Sequence, residues 1–206
     1  MNLPEGRWPN QRRAFDGVLD AIQRGVKRLC ITSPTGSGKS LSMVDVIQWA
    51  VEQGEPVALY TQRKMLYDQT ASVLEKAHID FGRRASGHAK ALLRNVQLCM
   101  TPSELSQVYK AESRELHQAS LVLIDEAHCQ TGGAMQRIMQ DHVDAGATII
   151  GYTATPLDLD GLYDELLVAG TVSECREIGA LVPAETYAPD EPDLKHIRKY
   201  QVGEDL

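Results

Sequence analysis

The chain has 206 residues, of which 43% are hydrophobic and 24% are charged, values typical of a globular domain with a full core. The net charge of −7 argues against a protein that coats nucleic acid by bulk electrostatics, although it does not exclude a local binding groove. The sequence has no run of about 18 apolar residues, no signal-peptide core at its start and no C-x-x-C pair among its four cysteines. We therefore expect a cytoplasmic protein without a membrane span or a zinc site.

Short apolar runs of strand length alternate with helical patterns along the chain. The first helix is predicted from about Asn10 to Arg24, because apolar residues recur there at i, i+3, i+4 and i+7 and Gly25 supplies a stop signal. Strands are predicted at residues 29–32, 57–61, 79–81, 96–100, 121–124 and 148–152. Helices are predicted at residues 64–77, around residues 135–142, and at residues 41–52, where the helix is apolar nearly all round and should be buried. This alternation predicts an α/β fold with a mainly parallel sheet, helices on both faces, and ligands beyond the carboxyl ends of the strands.

A glycine-rich loop stands between the first predicted strand and the second predicted helix: Ser33, Pro34, Thr35, Gly36, Ser37, Gly38, Lys39 and Ser40. The two glycines allow backbone angles that turn successive N–H groups inward around a phosphate, and the helix N-terminus adds a partial positive charge. Lys39 can reach the terminal phosphates, and the Ser40 hydroxyl can bind Mg²⁺. The strict phosphate-loop pattern begins with glycine, where this chain has Ser33. The alternative interpretation is a glycine-rich turn with a surface lysine.

Two further polar clusters follow predicted strands. Asp125, Glu126 and His128 come directly after the strand at 121–124. An acid there can hold Mg²⁺, and a second acid beside it can accept a proton from an attacking water molecule. Thr153 and Thr155 follow the strand at 148–152, and their hydroxyls can bond to a carboxylate or to His128. The alternatives are a capped strand end with solvated acids and a threonine-rich turn.

Together these clusters resemble the first motor domain of a superfamily 2 helicase of the DEAD/DEAH-box type. Residues 33–40 resemble motif I, in which this superfamily often lacks the leading glycine. Residues 125–128 match the DEAH form of motif II, and residues 153–156 match motif III. Residues 60–63 and 101–105 are similar to motifs Ia and Ib. Residues 162–183 are similar to the segment after motif III in bacterial and phage members related to type III restriction-enzyme motor subunits.

The resemblance implies a RecA-like P-loop domain that binds ATP and Mg²⁺ and moves along, or unwinds, nucleic acid, with DNA favoured over RNA. It assigns ATP binding to Gln11, which resembles a glutamine that reads adenine, and to Pro34, Thr35, Gly36, Ser37, Gly38, Lys39 and Ser40. It assigns Mg²⁺ binding to Ser40 and Asp125, catalysis to Asp125, Glu126 and Lys39, and coupling to nucleic acid to His128, Thr153 and Thr155. It assigns nucleic-acid contacts to Gln62, Arg63, Thr101 and Pro102.

The resemblance also implies a partner. Members of this family have a second RecA-like domain that supplies an arginine finger, so we expect residues 1–188 to form the first domain and residues 189–206 a polar tail or linker toward a second one, in the full-length protein or in trans. A catalytically silent ATP-binding or interaction module and a P-loop phosphotransferase are the rival functions.

One basic segment carries two open interpretations. It contains Arg83, Arg84, His88, Lys90 and Arg94 and has no acid within it. Such a segment either contacts a phosphate backbone or is a solvated loop.

Overall fold

The structure is a computed structural model that describes residues 5–88, 91–159 and 161–183. Its strands are β1 (Arg28–Thr32), β2 (Val57–Thr61), β3 (Phe81–Arg84), β4 (Val96–Met100), β5 (Leu121–Ile124), β6 (Thr148–Thr153) and β7 (Glu165–Val168). Its helices are α1 (Pro9–Arg24), α2 (Lys39–Glu52), α3 (Lys64–Lys76), α4 (Thr101–Glu104), α5 (Gly133–Asp144) and α6 (Val172–Glu177). A π-helical stretch, Leu105–Lys110, continues α4, and a 3₁₀ turn, Ala127–Cys129, precedes α5.

The seven strands form one sheet in the order β3-β4-β2-β5-β6-β1-β7, and every pair of neighbours is parallel. Strand β6 lies between β5 and β1, where Ile150 pairs with Leu123 and Tyr152 pairs with Ile31. Because all strands run in one direction, the loops after their carboxyl ends meet at a single edge of the sheet. The architecture confirms the predicted α/β fold with a parallel sheet.

The core lies on both faces of the sheet, because alternate residues of each buried strand point to opposite sides. In β2, Val57 and Leu59 belong to the apolar cluster packed under α1, α2 and α3, whereas Ala58 and Tyr60 belong to the cluster under α5. This burial on both sides explains why the central strands read as continuous apolar runs.

Several element predictions need correction. The strand expected at 79–81 lies at Phe81–Arg84. Strand β7 and helix α6 were not predicted. Strand β7 is a short edge strand in which half-buried and exposed residues alternate. Helix α2 is mostly buried as predicted, but Leu41 and Val51 are exposed. Helix α1 ends as predicted at Gly25, which has a left-handed φ of 76°.

For Arg84, both interpretations of the basic segment, a contact to a phosphate backbone and a solvated loop, are wrong. Its side chain is buried, and its Nε and Nη2 atoms donate to Glu104 Oε2 at 3.1 and 3.0 Å. Arg114 Nη2 donates to the other oxygen of Glu104 at 2.5 Å, so one buried carboxylate joins two arginines. The sequence could not show this, because both partners lie outside the basic segment.

Two further arginines of the basic segment are also paired with acids. Arg83 binds Glu75 at 2.7 Å and Arg94 binds Asp80. Lys90 and the tail at 189–206 lie outside the described residues. In the described part of the chain, no helix combines the length and apolar character that a membrane span requires.

Candidate functional site

The glycine-rich loop between β1 and α2 contains two glycines with left-handed backbone angles. Gly36 and Gly38 have φ values of 82° and 85°, which residues with a Cβ rarely adopt. A Cβ on Gly38 would also lie 2.1 Å from the Gln11 Nε2 atom. Ser37 closes the turn, because its backbone N–H and its hydroxyl both donate to the Pro34 carbonyl, at 3.2 and 2.6 Å.

The predicted catalytic residues meet in one cleft at the carboxyl edge of the sheet. This cleft has a volume of about 320 Å³ and is lined by Lys39, Ser40, Asp125 and Glu126 together with one face of α3. Thr70 belongs to that face and was not singled out from the sequence. Lys39 Nζ donates to the carbonyls of Ser33 and Pro34, at 3.3 and 3.4 Å.

The loop after β5 holds Glu126 in a strained backbone conformation. Glu126 has a φ of 48°, which is uncommon for a non-glycine residue and typical of functional sites. Its N–H donates to Asp125 Oδ1 at 3.0 Å, and Gln130 Nε2 donates to the Asp125 carbonyl at 2.7 Å. The Asp125 N–H donates to the Tyr60 carbonyl at 3.0 Å, which fixes the loop to the end of β2.

Charge and burial in the cleft favour a bound cation. Burial, and then the neighbouring Glu126 carboxylate, raise the pKa of Asp125 to about 6. Burial lowers the pKa of Lys39, while Glu126 and Asp125 oppose that change. Among the described residues no group of three or more His, Cys, Asp and Glu side chains could hold a metal ion unaided. The oxygen donors of Ser40 and Asp125 nevertheless fit Mg²⁺, which typically binds one or two protein oxygens together with phosphate oxygens.

The loops after β5 and β6 are joined by a side-chain contact. The Nδ1 atom of His128 lies 2.8 Å from Thr153 Oγ1 and 3.4 Å from Glu126 Oε2. Thr153 is fully buried, and its hydroxyl also donates to the Thr155 carbonyl at 3.1 Å and accepts from the Thr155 N–H at 3.0 Å. Thr155 therefore takes part through its backbone, and its side chain is exposed.

The start of α1 packs beneath the glycine-rich loop. Gln11 is buried, its Oε1 accepts from the Trp8 N–H at 3.0 Å, and its Nε2 donates to the Gly38 carbonyl at 3.4 Å. Asn10, which sequence reasoning missed, donates through Nδ2 to the Ser37 carbonyl at 3.0 Å. Nothing in the sequence signalled this role for Asn10, because the contact depends on the fold.

The residues expected to contact nucleic acid also lie at the carboxyl edge. Gln62 and Arg63 follow β2 and are exposed, and Pro102 is exposed at the start of α4. Thr101 differs from them, because it is buried and its hydroxyl donates to Gln130 Oε1 at 2.6 Å.

A family model described as "Type III restriction enzyme, res subunit" matches residues 7–158, which is more than half of the chain. The chain belongs to this family. It is a superfamily 2 helicase motor domain with a RecA-like fold, in agreement with the prediction from its motifs.

The individual relatives of this chain are only distantly similar to it in sequence. The "51.5 kDa protein" of Lactococcus phage (isolate 7-9) is 27% identical over 175 residues, which cover 82% of this chain and 34% of that protein. The UvsW helicase from bacteriophage T4 has a TM-score of 0.62 at 14% identity, over 80% of this chain and 60% of that one. The Sulfolobus solfataricus SWI2/SNF2 ATPase core in complex with dsDNA has a TM-score of 0.59 at 18% identity, over 87% of this chain and 37% of that chain. The chain thus spans about a third of the length of the phage relative.

Proposed function

We propose that the chain is the ATP-binding half of a motor that hydrolyses ATP and uses it to act on nucleic acid. The observation that carries this proposal is the meeting of Lys39, Ser40, Asp125 and Glu126 in one cleft beside a loop with two left-handed glycines. A cation and a hydroxyl at the N-terminus of α2, together with two acids on the loop after β5, are the groups that phosphoryl transfer from ATP requires.

Each side chain has a distinct role in this proposal. The backbone N–H groups of residues 35–40 and the Lys39 ammonium bind the phosphates of ATP, and Ser40 and Asp125 hold Mg²⁺, which neutralises charge on the phosphates when bound. Glu126 orients the attacking water molecule and accepts its proton. Gln11 holds the base of the glycine-rich loop in this structure, and its contact to adenine is part of the proposal.

Contact with nucleic acid is proposed at the same edge of the sheet. Gln62, Arg63 and Pro102 present exposed groups there, with Thr101 beneath them. DNA is favoured over RNA, and the Sulfolobus structure, which shares the fold, was solved with double-stranded DNA. His128, Thr153 and Thr155 would then connect the cleft to this surface.

A second RecA-like domain completes the proposed motor, with residues 1–188 as the first domain and residues 189–206 leading toward the second. Among the described residues no arginine lines the cleft, so the arginine finger would come from that domain or from a partner chain. Such an arginine contributes about 10³–10⁵ to the rate. The same observation favours a second candidate function for the chain alone, an ATP-binding module without activity.

Calorimetry with ATP and Mg²⁺ tests the ATP site directly. The chain is expected to bind weakly, and Lys39→Ala is expected to abolish measurable binding, because the ammonium meets phosphate charge in a partly dry site. Lys76→Ala, at the exposed end of α3, is the matched control and should bind like the parent. Unchanged affinity in a folded Lys39→Ala protein would refute the phosphate-loop assignment.

Steady-state ATPase assays separate the motor from the silent module. The isolated chain is expected to turn over well below about 1 per second, the low end of typical enzymes, with or without single-stranded DNA or RNA. Adding the second domain should restore turnover that nucleic acid stimulates. A silent module would show no turnover in either case, and a fast isolated chain would show that no second domain is needed.

A further inference from the structure

A small cavity lies directly beneath the glycine-rich loop. It is enclosed by the start of α1, by β1, by α2 and by β6, and its lining includes Asn10, Ser33, Ser42 and Tyr152. Its volume is about 10 Å³, at the lower end of the roughly 10–15 Å³ that one water molecule needs.

Three polar atoms of this lining have no hydrogen-bond partner within the described chain. They are Asn10 Oδ1, Ser42 Oγ and the Tyr152 hydroxyl, and their residues are 5%, 2% and 0% exposed. The hydroxyls of Ser42 and Tyr152 are near neighbours, but they do not form a hydrogen bond of ordinary length and angle with each other. Seven buried side-chain atoms in the described residues share this property, and three of them line this one cavity. Buried polar atoms in folded proteins are nearly always satisfied by the chain or by an ordered water molecule.

We propose that a single ordered water molecule binds in this cavity and joins Asn10, Ser42 and Tyr152. The three groups suit a water ligand, because the carboxamide oxygen of Asn10 only accepts hydrogen bonds, whereas each hydroxyl can donate or accept. The water molecule donates to Asn10 Oδ1 and, with its remaining proton and lone pairs, satisfies the two hydroxyls. Two to four partners are typical of buried water.

The other end of the Asn10 side chain connects this water site to the glycine-rich loop. Asn10 Nδ2 donates to the Ser37 carbonyl at 3.0 Å and to Ser33 Oγ at 3.4 Å. The hydroxyls of Ser33 and Ser37 are 2.7 Å apart, so Ser33 uses the side chain that a glycine at this place would lack. With Oδ1 held by water, the carboxamide has one orientation, and Asn10 acts as a positioning residue for the loop.

A high-resolution crystal structure of the unmodified chain tests the water site itself. We expect one density peak within about 2.7–3.2 Å of all three atoms. A direct hydrogen bond between Ser42 and Tyr152, with no density peak between them and Asn10, would overturn the proposal.

A double-mutant cycle on ATP–Mg²⁺ affinity tests the connection between the water site and the glycine-rich loop. This connection rests on the proposed function, whereas the water site itself does not depend on it. Asn10→Ala should weaken binding by about three- to tenfold, as the loss of one hydrogen bond predicts. Tyr152→Phe should weaken it by a smaller factor when Asn10 is present and should have a much smaller effect in the Asn10→Ala protein, because the proposed route from Tyr152 to the loop runs through the water molecule and Asn10. Asn95→Ala and Tyr109→Phe, which lie away from the cavity, are the matched controls.

The outcomes remain distinguishable. Equal effects of Tyr152→Phe with and without Asn10 would overturn the positioning role. If the parent chain binds no ATP, the proposed function fails, and the crystallographic water still decides the water site.

Discussion

The Nδ1 atom of His128 lies 2.8 Å from the Oγ1 atom of Thr153, and this contact joins the ends of two neighbouring strands. On one side His128 is 3.4 Å from a Glu126 carboxylate oxygen, and on the other side the Thr153 hydroxyl binds the backbone of Thr155. A rearrangement at Glu126 therefore has a direct physical route to the loop after β6. Substitutions at Thr153 test whether this route couples the two loops.

Thr153→Val is expected to spare ATP affinity but to reduce stimulation of ATP hydrolysis by single-stranded nucleic acid in the assembled motor. The loss should be at least about fivefold, the lower end of the range for coupled sites. Valine has nearly the shape of threonine but lacks the hydroxyl that binds His128. Thr153→Ser, which keeps the hydroxyl, is the control and should retain stimulation. Equal stimulation in the valine variant and the parent would remove Thr153 from the mechanism.

Glu126→Gln is expected to keep nucleotide binding and to lower turnover of the assembled motor by about 10²–10⁴-fold, the usual contribution of a general base. Glutamine keeps the length of the side chain and loses its capacity to accept a proton. Calorimetry and steady-state ATPase assays on the same preparation measure the two effects. Glu177→Gln, on the exposed end of α6, should behave like the parent. Turnover within a few-fold of the parent would show that Glu126 is not the base.

Glu104→Gln is expected to lower the free energy of unfolding by about 3–5 kcal/mol, because it leaves two buried arginines without a counter-charge. Arg84 and Arg114 both donate to this carboxylate, and their side chains are almost completely buried. Glu75→Gln breaks the exposed pair with Arg83 and should cost about 1 kcal/mol or less. Urea denaturation of both variants provides the comparison. An effect of Glu104→Gln as small as that of the control would mean that the ion cluster does not stabilise the fold.

His142 is expected to make the fold less stable as the pH falls from 6.5 toward 4. Burial, followed by the positive charges of His117 and Arg84 and opposed by Asp141, lowers the pKa of His142 to about 4. The unfolded chain binds a proton near the ordinary histidine pKa of 6.5, and the folded chain does not until about pH 4, so acid favours unfolding across this window. The loss should reach about 3 kcal/mol at pH 4.

Urea denaturation at several pH values measures this effect. His142→Gln keeps a polar group for the Tyr60 hydroxyl, which is 2.8 Å from His142 Nε2, and removes the titration. The stability of the parent relative to this variant should therefore fall on acidification. His78→Gln alters an exposed histidine and serves as the control. Parallel pH curves for the parent and His142→Gln would contradict the prediction.

Local patterns made the centre of the site predictable. Gly36 and Gly38 mark backbone angles that only glycine adopts readily, and Asp125 follows an apolar strand whose end must lie at the edge of a parallel sheet. The contact between His128 and Thr153 was also expected and is present, although its role stays a prediction.

Features that depend on distant partners could not be predicted. The acid that neutralises Arg84 lies on α4, outside the basic segment, and only the folded chain brings them together. Asn10 stands at the start of the first predicted helix, yet its carboxamide donates to the Ser37 carbonyl in the loop after β1. Strand β7 was missed although Leu166, Leu167 and Val168 are apolar. It is a short strand at the edge of the sheet, where Leu166 and Val168 remain exposed.

The position of β6 has a consequence for how the chain folds during its synthesis. Strands β1 and β5 are both made before β6, but they do not pair with each other, because β6 lies between them in the sheet. In β6, Tyr152 pairs with Ile31 and Ile150 pairs with Leu123. A ribosome must therefore complete about three quarters of this chain before the loop at Ser33 and the acid at Asp125 can be held at their final separation. Pairing between strands so far apart in sequence is slow. Until β6 emerges, β1 has no paired neighbour and β5 has one unpaired edge, and these apolar strand edges need protection from aggregation.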